Sequence, residues 1–187
     1  NHLIVRGLAF ICVTRTEFGK VWHQDYGQLV CGIVNPRQLS KQKNEKVQEL
    51  AKLFKNGGCD CTVSDNIKKD VYQKLIWNVP FNPLSVIEQK NTKQLCDDPD
   101  TVKSIKKIMS EVIQLAKYDG VEIPETVIDL MLTNTKKMTP YKTSMLIDYE
   151  NHNPLEIDAI VGELVRVSVS SSIAAPHLEK LYKEIQK

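Results

Sequence analysis

Near residue 65 the chain passes from mixed strand and helix spacing to helical spacing alone, and that change limits it to a two-part architecture. Before it, Leu3 to Val5 and Leu8 to Val13 are apolar and rich in β-branched residues without helical spacing, so they read as strands. Phe18 to Lys20 reads as a turn into Val21, Trp22 and His23. Asp25 to Gly27 reads as a second turn into Leu29 to Val34, giving a small antiparallel meander ended by Asn35 and Pro36. From Ser40 the spacing of Val47, Leu50, Leu53 and Phe54 predicts a helix stopped by Gly57 and Gly58, followed by a short strand over Cys59 to Val63. The lysines of that helix alternate with Glu45 and Glu49, as on a solvated face.

Beyond Ser64, Asp65 and Asn66 only helical patterns follow. The first carries residues 67 to about 83, with Pro80 and Pro83 expected to kink or break it. Asp98 followed by Pro99 is a strong helix start, and Val102, Ile105, Ile108, Met109, Val112 and Leu115 form its inward stripe up to Asp119 and Gly120. Pro124 opens another helix with Val127, Leu130 and Met131 inward. A polar loop over Thr133 to Thr143 leads to a short helix at Ser144 to Asp148. Glu156 to about Ser171 reads as one long helix with Ile157, Ile160, Leu164 and Val167 inward. Pro176 begins the last, with Leu178, Leu181, Tyr182 and Ile185. The expected fold class is α+β: residues 1–65 the remnant of an open α/β domain, residues 66–187 an all-helical domain.

Composition narrows function mainly by exclusion. A net charge of +2 gives no electrostatic case for a nucleic acid or a membrane surface. No apolar run approaches the ~18 residues of a membrane span. The five cysteines are odd in number and lack a secreted framework, and Cys59 and Cys61 lack metal-site spacing and a second pair, so no metal is expected and a reducing, cytoplasmic setting is. There is no Gly-rich phosphate loop, and no serine, histidine and carboxylate have triad spacing. His23 and His177 read as rim residues, and His152 as part of a polar loop.

What remains is a polar stripe in an apolar setting. Lys74, Asn78 and Asn82 recur every four residues, so on a helix their heads drift only ~40° per step along one line, flanked by Leu75, Ile76, Val79 and Phe81. Buried polar groups must be paired, and a polar ligand is one way to pair them. Ser144 and Glu156 begin later helices. A lysine, a carboxylate, a hydroxyl and two amides suit the binding and protonation of a small keto acid, the cation delivering a proton to a developing alkoxide. Taken singly, each has a plainer role: a surface lysine, amides capping proline kinks, a serine N-cap, a glutamate at a helix start.

In order, Lys74, Leu75, Asn78, Asn82, Pro83 and Leu84, then Ser144, Met145, Leu146 and Asp148, then Glu156, Ile157, Asp158, Ile160 and Gly162, then Pro176, resemble the C-terminal portion of the ketopantoate reductase (2-dehydropantoate 2-reductase) family. Gly7 to Phe10, Gly19 to His23 and Tyr26–Gly27 are similar to the segment preceding it, and Tyr72 stands where a tryptophan is common. The resemblance implies a helical domain of the 6-phosphogluconate dehydrogenase C-terminal type, behind the tail of a truncated Rossmann-type domain. It implies reduction of ketopantoate to pantoate with NADPH, on the way to pantothenate and coenzyme A. Lys74 and Glu156 would be catalytic, and Asn78, Asn82 and Ser144 would bind the keto acid. The dinucleotide loop of that family is absent from these residues. The chain therefore reads as a C-terminal portion, inactive alone, with NADPH held mainly by the absent part. The rival expectations are a paralogous 2-keto acid oxidoreductase of the same fold, and a non-catalytic helical module that forms a homodimer.

Overall fold

The computed structural model describes residues 3–34 and 40–187. The expected end of the sheet at Asn35 and Pro36 lies outside the described residues. Contacts divide the chain into two compact units, Asn1–Val71 and Tyr72–Lys187.

In the first unit, β1 (Val5–Glu17) and β2 (Lys20–Ile33) form one long antiparallel hairpin turned at Phe18 and Gly19. The meander expected from the sequence is corrected here, because Asp25 to Gly27 is a bulge inside β2. Phe10 pairs with Gln28 and Ile11 with Tyr26, which leaves Gly27 as the extra residue. Tyr26 at φ 59° and Gly27 at φ 132° absorb it, with the Asp25 carboxylate accepting the Tyr26 amide at 2.8 Å. The same residue types serve a turn or a bulge, and the long partner strand β1 selects the bulge.

Ser40 caps α1 (Lys41–Asn56) by accepting the Lys43 amide, and β3 (Asp60–Val63) then pairs parallel to β2. Thus β2, α1 and β3 form a βαβ unit, and the sheet order is β1-β2-β3. Its core is Cys31, Ile33, Val47, Ala51 and Cys61. Leu53 and Phe54, expected inward, are exposed, since the four-residue β3 offers α1 only a narrow surface. The Cys31 and Cys61 sulfurs lie 3.7 Å apart, and burial first, then the contact with Cys61, pushes the Cys31 thiol up to about 11.

Most of α2 (Ile67–Ile87) belongs to the second, helical unit, and it runs through Pro80 and Pro83 without interruption. Each proline removes a helical hydrogen bond, at ~3 kcal/mol in an exposed helix. Here residues 79–86 are all buried, and Ile76, Val79 and Phe81 are each 0% exposed. Burial of each such side chain stabilises by about 1.5–3 kcal/mol, enough to hold the helix through both prolines. A short helix not expected from the sequence follows, α3 (Thr92–Asp97), opened by an Asn91–Gln94 capping box.

Asp98 caps α4 (Pro99–Tyr118), whose Ile105, Ile108, Met109, Val112 and Leu115 are buried as the spacing requires. α5 (Thr126–Lys137) extends into the expected loop, and it buries Ile128 and Leu132 while Leu130 faces outward. After α6 (Ser144–Glu150), a π-helical turn over Asp158–Gly162 leads into α7 (Glu163–Ser171). The widened turn shifts the helical phase, so Val161 is fully buried beside Leu164, and Ile157 and Ile160 are only partly so. Finally α8 (Pro176–Ile185) buries Leu178 and Leu181.

Candidate active site

The continuous α2 turns the spacing of Lys74, Asn78 and Asn82 into one line on one helix. Lys74 and Asn78 are half-buried, while Asn82 is 3% exposed. Among the described residues, no group hydrogen-bonds the side-chain amide of Asn82. A buried amide without a partner costs about 1–3 kcal/mol, which marks the lower end of the stripe as a place that accepts something polar.

Burial lowers the proton affinity of the Lys74 ammonium, and the Glu156 carboxylate acts in the opposite direction. Glu156 is exposed and stands one residue before the helical turn at Ile157. Its backbone carbonyl accepts the Ile160 amide at 3.1 Å, so it sits where the helix begins and its side chain stays available. The structure thereby joins two residues 82 positions apart in one electrostatic pair.

Ser144 is exposed as the first residue of α6, and the cap of that helix is Thr143 instead, whose hydroxyl accepts the Leu146 amide at 3.2 Å. The capping role open to Ser144 in the sequence is therefore filled by its neighbour, and the Ser144 hydroxyl stays at the surface. Thr143 is itself tied to α2, 2.6 Å from the Ser85 hydroxyl, with both side chains buried. Ser85 escaped the sequence reading, and Thr143 entered it only as the residue leading into Ser144, without its capping role. The signals were a serine three residues past Asn82 inside an apolar run, and a threonine just before a helical pattern.

Further contacts fix the loop before Ser144. Trp77 stacks on Phe81 at 4.6 Å and on Tyr141 at 6.1 Å, and its indole N–H donates to Thr135. Tyr141 exchanges backbone and side-chain bonds with Thr92. Below the site, Val86, Met145 and Leu146 form a small core with Leu155, Ile157 and Ile160, which joins the ends of α2, α6 and the π turn.

Of the remaining motif residues, Asp158 is structural. Arg166 grips it with two N–H groups at 2.9 and 3.2 Å, and the Tyr182 hydroxyl donates to it at 2.8 Å. Gly162 completes this lock, because a Cβ there would overlap Asp158 Oδ1 and come within 2.9 Å of the Tyr182 oxygen. His177, read as a rim residue, lies against Glu111, which accepts the His177 and Leu178 amides and so caps α8 from α4.

The site thus offers a half-buried cation held near a carboxylate, a row of amides and an outward hydroxyl. That set can bind a small carboxylate and carbonyl and protonate an oxygen. It offers no cradle for a dinucleotide. The described residues contain no Gly-x-Gly segment, and the N-terminus of α1 is closed by its own Ser40. No helix is long and apolar enough to cross a membrane among the described residues.

Residues 66–187 match the family description "Ketopantoate reductase PanE/ApbA C terminal". A 2-dehydropantoate 2-reductase of Nostoc is 33% identical over 98% of the chain and 57% of its own length. The crystal structure of 2-dehydropantoate 2-reductase from Methylococcus capsulatus is 38% identical, with a TM-score of 0.88 over 98% of this chain and 62% of that one. A D-mandelate dehydrogenase solved with NADH and anilino(oxo)acetate shares the fold at a TM-score of 0.87 and 22% identity, over 97% of this chain and 58% of that one. The chain therefore spans about three-fifths of the length of these relatives.

Proposed function

The chain belongs to the ketopantoate reductase family, and on that premise we propose that it supplies the substrate half of an enzyme that reduces 2-dehydropantoate to pantoate with NADPH. The observation that carries this reading is the line of half-buried Lys74 and Asn78 and buried Asn82 on α2, ending in an amide that no described residue hydrogen-bonds and answered by the Glu156 charge.

In this reading a nicotinamide cofactor held outside these residues would supply the hydride, and the chain's own part is the proton and the grip. As the C=O bond is reduced, negative charge gathers on its oxygen. Lys74 Nζ donates a proton to that oxygen, which leaves a neutral amine that solvent reprotonates. Burial weakens the hold of Lys74 on its proton and so favours this transfer, and Glu156 keeps the group cationic until it occurs. Asn78 and Asn82 donate to the keto acid along the stripe, and Ser144 holds its other end. The residues here do not fit the dinucleotide, so NADPH is assigned to sequence outside them, in keeping with the 57% coverage of the Nostoc relative.

The test is a steady-state assay of the full-length protein with NADPH and a panel of 2-oxo acids. Ketopantoate should give the highest kcat/KM, and Lys74→Ala should lower kcat by about 10²–10⁴. Preference for another keto acid would move the substrate assignment to a paralogue of the same fold. An unchanged rate without Lys74 would remove the mechanism.

A further inference from the structure

A chain of hydrogen bonds crosses from α6 to α2 behind the site. The Leu146 amide donates to Thr143 Oγ1 at 3.2 Å. The two hydroxyls Thr143 and Ser85 meet at 2.6 Å, and Ser85 Oγ donates to the backbone carbonyl of Asn82 at 2.7 Å. Only one polarity satisfies every group: amide to Thr143, Thr143 to Ser85, Ser85 to carbonyl. Ser85 is 0% exposed and Thr143 1%. Two hydroxyls buried face to face add nothing that a pair of methyl groups would not add to packing, and they hold only where both partners are met. The relay ends at the backbone of Asn82 on one side and one residue before Ser144 on the other.

Resting on the assignment of Asn82 and Ser144 to the substrate, we infer that Ser85 and Thr143 are positioning residues that set the spacing between these two substrate-binding groups without touching the substrate. Ser85 stands on the same helix about 16 Å along the axis beyond Lys74, so the relay governs the grip on the keto acid and leaves proton delivery alone.

The test uses the full-length protein with Thr143→Val, which keeps the side-chain shape, Ser85→Ala, and Thr143→Ser, which keeps the hydroxyl. Each is measured for KM and kcat with NADPH and ketopantoate. The shift of the Asn82 side-chain amide on ketopantoate titration is followed by NMR. Misplacement of a binding group should raise KM about ten- to hundredfold for Thr143→Val and Ser85→Ala. kcat should stay within about threefold, because the proton donor is intact. Thr143→Ser should restore KM, and the double variant should be no worse than either single one, since the relay can be broken only once. A folded Thr143→Val protein with an unchanged KM and Asn82 shift overturns the inference, and it carries the test alone should Ser85→Ala fail to fold. A wild-type protein that neither turns over nor binds the keto acid overturns the functional reading and the relay together.

Discussion

Glu156 acts on Lys74 against the effect of burial: the protein interior weakens the hold of the lysine on its proton, and the carboxylate partly restores it. Neither side chain has this property alone. The proton affinity of Lys74 is therefore set jointly by its burial and by a residue 82 positions away at the start of another helical turn.

Replacing Glu156 by Gln removes the restoring charge and keeps the shape. The lysine then loses its proton at lower pH. The alkaline limb of the kcat/KM profile for keto acid reduction should move to lower pH in the full-length protein, with little change on the acid side. A limb that stays in place would separate the two residues functionally.

Lys74 is carried at a cost to stability. Its folded-state proton affinity lies below that of the unfolded chain, so between the two values the unfolded chain binds more protons and stability rises with pH. Lys74→Met should be more stable to urea at neutral pH. Its advantage over wild type should shrink as pH climbs toward the ordinary lysine value of about 10.4. Matched unfolding curves from neutral to alkaline pH measure this, and an advantage that grows with pH would contradict it.

The Glu111 carboxylate accepts the Leu178 amide at 2.8 Å and the His177 amide at 3.0 Å, which supplies the cap that Ala175 cannot. Glu111→Ala should destabilise the chain by about 2 kcal/mol, the scale of a lost cap with a charged acceptor. Protection of the first-turn amides of α8 from hydrogen exchange should fall first.

Gly162→Ala should cost more than most surface changes, about 1–3 kcal/mol, because the new Cβ has to displace the Asp158 carboxylate or the Tyr182 hydroxyl. The same lock gives an acid-side signature. Arg166 first, then Tyr182, hold the Asp158 carboxyl below the usual carboxylate range. Its contribution is present above about pH 4 and is lost as pH falls through the lowered value. Thermal melts of wild type and Asp158→Asn should therefore converge at low pH and differ at neutral pH.

Much of this could be read from residues three and four apart. The Asp98–Pro99 start, the buried stripe of α4, the change to helical spacing at Ser40 and the Lys74–Asn78–Asn82 line all rest on local spacing, and local spacing is what an α-helix expresses. Family membership followed from the same motifs in order. Legibility failed where a residue type has two local uses. Asp25 to Gly27 could turn or bulge, and β1 decided. Pro80 and Pro83 break an exposed helix, yet a buried one absorbs them. The π turn moved the inward face of its helix by one residue, a step that no periodic pattern announces.

The amino-acid sequence by itself determined where most helices lie, where the chain changes from strands to helices, and which side chains share a helical line. Tertiary structure alone decided that β3 runs parallel to β2 and that Thr143, not Ser144, closes α6. It also paired groups far apart in the chain: Ser85 and Thr143 are 58 residues apart, and Glu111 and Leu178 are 67. The reason is range. Caps and periods act within one turn of chain, whereas the satisfaction of a buried hydroxyl, carboxylate or lysine depends on whichever distant segment the packed core brings beside it.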